Sequence, residues 1–502
     1  MEAAAERPHR SRLTVALAAV APFLALAAAK VAVHLATNGA YGFHRDALYY
    51  LASARHLALG YVDYPPITPL LARLSLALFG ASAWGLRLWP TLAGTATLLL
   101  SVLLARELGG GRQAQVLTGL AMLASPLFLG SNWLFQTVTF DQLAWTVCFL
   151  VLARLAQGGG GPLWLALGAA LGIGIETKYT ILALALGIAV AAMASARLRT
   201  DLRTPWPWLG ALAALVIWAP NLVWQMQHGW PSLAYVFNHR AAQSTDFSVS
   251  KFLSDQIAIV GPAAIPFWLL GWFGLMRQGA RRPVGVAALV AFVIFALSGK
   301  GYYAGPVYPP LLAAAAVTLC ELTARRLRGL RVAAAAVLLV EGAVLLPLAL
   351  PVVPERVMVH TFLAGARTDF ADTVGWPDLA HQVASVYDGL GAERPRGAAI
   401  LASNYGEAGA IDLYGPALGL PPALSPELSY YYWKPAHVAA TTYVVVGLPA
   451  AQLRGLFASV KKAGVVTNSF GLHNPEWGAE IFVCRDPVIP IDRAWPTLKN
   501  LS

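Results

Sequence analysis

Eleven mostly apolar stretches set what this chain can fold into. They lie at about 12–36, 84–106, 113–130, 136–156, 162–176, 179–196, 206–226, 257–276, 284–299, 303–322 and 329–350. A helix that crosses a bilayer needs roughly 20 such residues. Backbone in hydrocarbon must satisfy its own hydrogen bonds, and a helix does so locally. Composition agrees: 57% of residues are hydrophobic and 12% charged, against roughly 25% charged in a soluble domain. The chain reads as a polytopic α-helical membrane protein with about 11 transmembrane helices.

The connections give the orientation. Arg7, Arg10 and Arg12 precede the first stretch, and Arg106 and Arg112 flank the turn after the second. Arg154, then Arg197, Arg199 and Arg203, then Arg277, Arg281 and Arg282, then Arg325, Arg326, Arg328 and Arg331 mark every alternate connection after that. Positive charge is retained on the cytoplasmic side, so the N-terminus is expected inside and the region after the last span outside. MEAAAERPHRSR has the charge of a signal n-region, but no convincing A-x-A site ends the run after it, which is read as a retained first helix. The net charge of +11 is dispersed in these short clusters, so nucleic acid is not an expected partner. Cys148, Cys320 and Cys484 are too few and too scattered for a disulfide framework or a zinc site. No metal or cofactor is expected.

The outward connections are polar and aromatic. The first, residues 41–69, holds Asp46, Asp63, Arg45, Arg55, two histidines, five tyrosines and the Pro65-Pro66 step. Its segments 46–59 and 66–79 have apolar residues at helical spacing and are expected to lie in the membrane interface. Ionisable groups at membrane depth are expensive and usually functional. Asp46 can serve as a base for an acceptor hydroxyl, or simply as an acid favoured at a helix start. Asp63 and Tyr64 before the two prolines shape a pocket wall or an ordinary turn. Asp141 in TVTFDQLAW needs a partner or a cavity, unless it caps its span. Lys178 and Glu176 in ETKYT, and Lys300 in SGKGYY with Tyr302 and Tyr303, sit at tight outward turns where cations can hold a phosphate. A Lys178–Glu176 pair or snorkelling is the plainer account of the former. Gly168 and Gly172 read as a helix-packing pair, not a nucleotide loop.

Beyond about residue 355 polar residues become regular and no run reaches spanning length. Periodicity predicts helices near 376–390, 406–414 and 449–460 and strands near 398–403, 442–447, 464–469 and 479–485. The expected division is a membrane domain over 1–352 and a C-terminal extracytoplasmic α/β domain over 353–502.

The stretches YGFHRDALYY, GYVDYPPITPLL, ASPLFLGSNWLFQTVTFDQLAW, GIGIETKYT and SGKGYYAGPVYPPLLA, in this order, resemble bacterial glycosyltransferases of family 39 and the wider GT-C membrane superfamily. That group includes protein O-mannosyltransferases and lipid A aminoarabinose transferases. NYGEAGAIDLYGPALGLPPALS with the later YYYWKP resembles an outer domain of one bacterial branch.

The resemblance implies a GT-C fold in the bacterial inner membrane with a periplasmic C-terminal domain. It implies inverting transfer of a sugar from a polyprenyl-phosphate donor to a lipid, glycan or protein acceptor. Asp46 matches the family's base and Asp141 its second acid. Ala47 stands where many relatives have Glu, so a role for that acid is absent. Tyr64 replaces a common His or Lys. Lys300 and Lys178 match positions suited to the lipid phosphate, with Arg55, Tyr64, Tyr302 and Tyr303 beside them. Arg45, Asp63, Glu176, Asn404 and Glu407 are candidates for the acceptor and pocket. A transporter of a polyprenyl-linked glycan or small molecule is the rival reading, and a binding scaffold a third. A transporter would also place charge at depth, but no internal repeat or pair of interrupted helices supports it.

Overall fold

The computed structural model describes residues 12–243, 248–298, 300–324, 327–391, 393 and 397–501, with side chains from residue 20 onward except 239–243 and 298. The expectations that touch Arg7, Arg10, Arg325 and Arg326 lie outside what is described.

Each of the eleven apolar stretches is helical. In chain order the helices are α1 (Arg12–Thr37), α2 (Arg45–Arg55), α3 (Ile67–Phe79), α4 (Ala83–Glu107), α5 (Arg112–Ala124), α6 (Pro126–Ser131), α7 (Thr137–Ala156), α8 (Pro162–Ile175) and α9 (Ile181–Ala194). The series continues with α10 (Ala196–Asp201), α11 (Trp206–Gln227), α12 (Pro231–Gln243), α13 (Val249–Val260), α14 (Ile265–Arg277), α15 (Arg282–Ser298), α16 (Tyr308–Leu322) and α17 (Arg328–Ala349). Among the described residues six helices are long and apolar enough to cross a membrane: those within 20–37, 83–107, 137–156, 206–227, 301–322 and 328–349. Helices α8, α9 and α15 are apolar but shorter. Helices α2 and α3 coincide with the two segments expected at the interface.

One expected span is broken. The stretch 257–276 takes in the last turn of α13, a corner and α14, and the two limbs of that pair are bent by 99°. Gly261 takes φ 105° at the corner, where a side chain would be strained, and Pro262 follows without an N–H to give. The Glu341 carboxylate of α17 accepts the Ala263 N–H at 2.5 Å, which satisfies a donor that the break frees.

Small residues let the bundle close. Gly168 of α8 lies against the Gly210 carbonyl of α11, and Gly172 against Ala214. Gly187 of α9 meets Ala287 of α15, and Gly271 of α14 meets Leu311 of α16. Without a hydrophobic drive between helices in lipid, close backbone approach supplies much of the contact.

After α17 come three one-turn helices, α18 (Glu355–Met358), α19 (Leu363–Ala366) and α20 (Thr368–Ala371), and then α21 (Trp376–Asp388). A five-stranded sheet follows: β1 (Ala398–Ala402), β2 (Ala423–Leu424), β3 (Thr442–Val446), β4 (Phe457–Val465) and β5 (Glu480–Pro487), in the order β2-β1-β3-β5-β4. Its neighbours are α22 (Tyr405–Tyr414), α23 (Tyr430–Trp433), α24 (Ala450–Leu456) and α25 (Ile491–Leu498). β1 runs parallel to β2 and β3, whereas β5 is antiparallel to β3 and β4. The helix expected over 449–460 stops at Leu456, and the expected strand at 464–469 begins instead at Phe457. Pairing with β5 decides the conformation there, overriding a weak helical preference. Lys461 and Lys462 line the outer strand, where charge discourages further pairing.

The sheet's core does not end at the domain. Phe43, Leu48, Tyr49, Leu51 and Phe135 pack in one buried cluster with Trp376, Val383, Ile400, Ile411 and Val444. Gly409 of α22 lies against the backbone of Leu48 in α2. Replacing Gly168 by Leu is expected to drive α8 and α11 apart and destabilise the protein by about 1–3 kcal/mol. A melting temperature of detergent-solubilised protein that is unchanged by Gly168→Leu would contradict this packing.

Candidate active site

Asp46 stands in the first turn of α2. His44 caps that helix, its Nδ1 accepting the Asp46 N–H at 3.1 Å. The chain arrives there under restraint. Arg87, buried on α4, donates to the carbonyls of Asn38, Ala40 and Gly42 at 2.9, 2.7 and 2.5 Å. Its guanidinium also stacks 4.2 Å from the Trp133 ring. A planar cation suits this multidentate task. The carboxylate itself is gripped from two sides. Gln136, at the start of α7, donates to Oδ2 at 2.7 Å, and Tyr405, at the start of α22, donates its hydroxyl to Oδ1 at 2.9 Å. Asp46 keeps 28% of its side-chain surface exposed, so a further partner can reach it.

Behind Asp46, His44 places Nε2 3.6 Å from Asp369 and 3.7 Å from Asp372. Burial works against its charge, yet the carboxylates of Asp369, Asp46 and Asp372 together hold its pKa above the ordinary value. Asp369 is held well below the usual carboxylate range by Arg367 and His44, despite its burial.

The cations come from two other turns. Lys178 follows α8, and its Nζ lies 5.0 and 4.8 Å from the rings of Tyr302 and Tyr303. Desolvation lowers it to about 8, with Asp141 and Asp46 pulling it back up and Lys300 pushing it further down. Lys300 is lowered by desolvation and raised by Asp46. Lys178 thus stands against Tyr302 and Tyr303, two and three residues on from Lys300, and the field of Asp46 reaches both lysines. Asp141 is buried below them and accepts from Trp145 Nε1 at 2.9 Å and from Thr180 at 2.8 Å. It is therefore a fixed counter-charge to Lys178 and not an open acid. Asp63 accepts the Tyr49 hydroxyl at 3.0 Å. Burial, with Asp46 and Glu427 nearby, pushes it up to about 8.

Other candidates do different work. Arg55 donates to the Asp412 carbonyl at 2.8 Å and ties α2 to α22. Tyr64 is buried with its hydroxyl 2.6 Å from Ser53 Oγ. Glu176 is buried with no partner for either carboxylate oxygen, and it does not pair with Lys178. Asn404 and Glu407 form a capping box at the start of α22, a reciprocal arrangement that satisfies helix N–H groups. They hold the helix that carries Tyr405, and neither is free for an acceptor. Arg45 lies 5.0 Å from the centre of the Tyr405 ring and 4.0 Å from Glu476.

Gln136, Tyr405, Arg87 and His44 were not expected as site residues. Gln136 had a faint signal, being polar and just before an apolar run. Tyr405 follows the capping asparagine of N-Y-G-E. Only the fold brings either to Asp46. Among the described residues no group of three or more His, Cys, Asp or Glu side chains is arranged to hold a metal ion.

Residues 63–224 match the sequence profile of the dolichyl-phosphate-mannose-protein mannosyltransferase family. No curated protein matches the chain in sequence. Among solved structures, ArnT from Cupriavidus metallidurans bound to undecaprenyl phosphate superposes with a TM-score of 0.60 at 19% identity, over 93% of this chain and 98% of that one. The apo state of the same protein gives 0.58, at the same identity and coverage.

Glu407 supplies a pH test of the platform under Tyr405. It is fully buried, and burial with the neighbouring Glu476 raises its carboxyl well above the usual range. The folded protein thus holds this proton more tightly than the unfolded chain. The stabilisation is full below about pH 4.3 and is lost as pH rises through the raised value. Glu407→Gln keeps an oxygen for the Ser403 and Asn404 N–H groups and removes the titration. Between pH 5 and pH 8.5, wild type is expected to lose roughly 3 °C more in melting temperature than Glu407→Gln. Parallel curves would show that Glu407 is ionised throughout.

Proposed function

We propose that this chain, which has the fold of the GT-C membrane glycosyltransferases, moves a sugar from a polyprenyl-phosphate donor to a hydroxyl acceptor at the extracytoplasmic face of the membrane. One observation carries the reading: a partly exposed carboxylate, Asp46, shares its surroundings with two cations from separate turns, Lys178 and Lys300. The ArnT structure of the same fold has undecaprenyl phosphate bound, a lipid of the class these cations suit.

Asp46 takes the proton of the acceptor hydroxyl. The oxygen then bonds to the anomeric carbon from the face opposite the phosphate, and the carbon–oxygen bond to phosphate breaks with inversion. Polyprenyl phosphate leaves with one more negative charge, which Lys178 and Lys300 meet, with Tyr302 and Tyr303 beside them. Cations placed where charge develops lower the barrier. A phosphate arriving beside Lys178 drives that group fully to the ammonium form. Asp141 keeps Lys178 in place. The lipid tail stays in the bilayer, and the arginine-marked connections put the site and the C-terminal domain outside.

Asp46→Asn preserves the hydrogen-bonding shape and removes the base. It is expected to lower transfer from radiolabelled undecaprenyl-phosphate hexoses and pentoses by about 10²–10⁴-fold, with expression and melting temperature unchanged. Lys300→Met is expected to raise KM for the donor as well as lower kcat. Full turnover by Asp46→Asn would overturn the assignment of the base.

A further inference from the structure

From the C-terminal domain, the Tyr405 side chain reaches Asp46 directly. Its hydroxyl is 2.9 Å from Asp46 Oδ1. The ring is held by two contacts, stacked on Tyr49 with centroids 4.7 Å apart and lying 5.0 Å from the Arg45 guanidinium. Its backbone is fixed too. The Tyr405 N–H donates to Glu427 Oε2 at 2.7 Å, directly after the Asn404–Glu407 capping box. Gly409, one turn on and on the same face of α22, has no side chain to hold α22 off Leu48. A tyrosine held on so many sides is built to keep its hydroxyl at one point, and that point is the carboxylate.

We propose that Tyr405 is a positioning residue for Asp46, so that the C-terminal domain completes the catalytic centre and does not serve only to recognise the acceptor. The inference rests on the reading of Asp46 as the base. Gln136 holds the second oxygen from the membrane bundle. The two donors together fix the plane of the carboxylate, which stays partly exposed for a further partner. A base must sit within hydrogen-bond reach of the proton it removes, and a free rotor would lose that alignment.

The charged and titratable groups around the pair are His44, Arg45, Tyr49 and Tyr50 on α2, Asp63 after it, Lys178, Tyr235, Lys300 and Tyr302 from the bundle, Asp369 and Asp372 behind His44, and Glu427 and Glu476 in the C-terminal domain. Tyr405→Phe leaves all of them in place and keeps both ring contacts. It removes one hydrogen bond to a carboxylate.

Isotope-edited infrared spectra of the full-length protein, with Asp46→Asn subtracted, isolate the carboxylate stretching bands of Asp46. Tyr405→Phe is expected to shift those bands, because it removes one of the two hydrogen bonds the carboxylate accepts. With radiolabelled undecaprenyl-phosphate sugars it is expected to lower kcat about tenfold, with KM within about twofold of wild type. Tyr414→Phe, at the far end of the same helix, is expected to change neither. An unmoved infrared band overturns the contact, and a moved band with unchanged kcat overturns the positioning role. If wild type turns over none of the donors, the reading of function fails by itself. The infrared arm then still decides whether Tyr405 holds Asp46.

Discussion

A carboxylate at the rim of an apolar bundle is tenable only if other parts of the chain supply its hydrogen bonds. Asp46 meets that condition through Gln136 and Tyr405, which lie 90 and 359 residues away in sequence. Much of the surrounding architecture follows from it. Arg87 holds the backbone that leads to α2. Arg55 and Gly409 bind α2 to α22. The aromatic residues of the first loop then bury themselves against the C-terminal sheet and share its core. Removing the contact between α2 and α22 would therefore disturb the rim of the bundle as well as the added domain.

The membrane part was legible because its rules are local. Apolar length and arginine placement can be counted along the chain. Asp46, Asp141, Lys178 and Lys300 were visible for the same reason, as charges where lipid-facing sequence has none. The bend between α13 and α14 was not visible, since two short apolar helices and one long one have the same composition. Gly261 and Pro262 marked it only once Glu341 was seen to satisfy the Ala263 N–H. β4 was misread because its conformation is settled by pairing with β5.

Polar residues of ordinary loops were harder still. Arg55, Tyr64, Asn404 and Glu407 look available in the sequence, yet each is engaged within the protein. Tyr405 and Arg87 look unremarkable and stand at the centre of the arrangement. The difference is one of range. A capping box can be read from four neighbouring residues, whereas a hydrogen bond between a C-terminal helix and the first loop depends on the entire fold between them.

The account's central claim is that the cations of two separate turns and the first-loop carboxylate serve a single phosphate-linked substrate. An experimental structure of the protein with undecaprenyl phosphate tests it most directly. The phosphate is expected between Lys178 and Lys300, within hydrogen-bond reach of both, on the side where Asp46 is exposed. A phosphate bound elsewhere on the bundle, with Lys178 still turned toward the tyrosine rings, would contradict it.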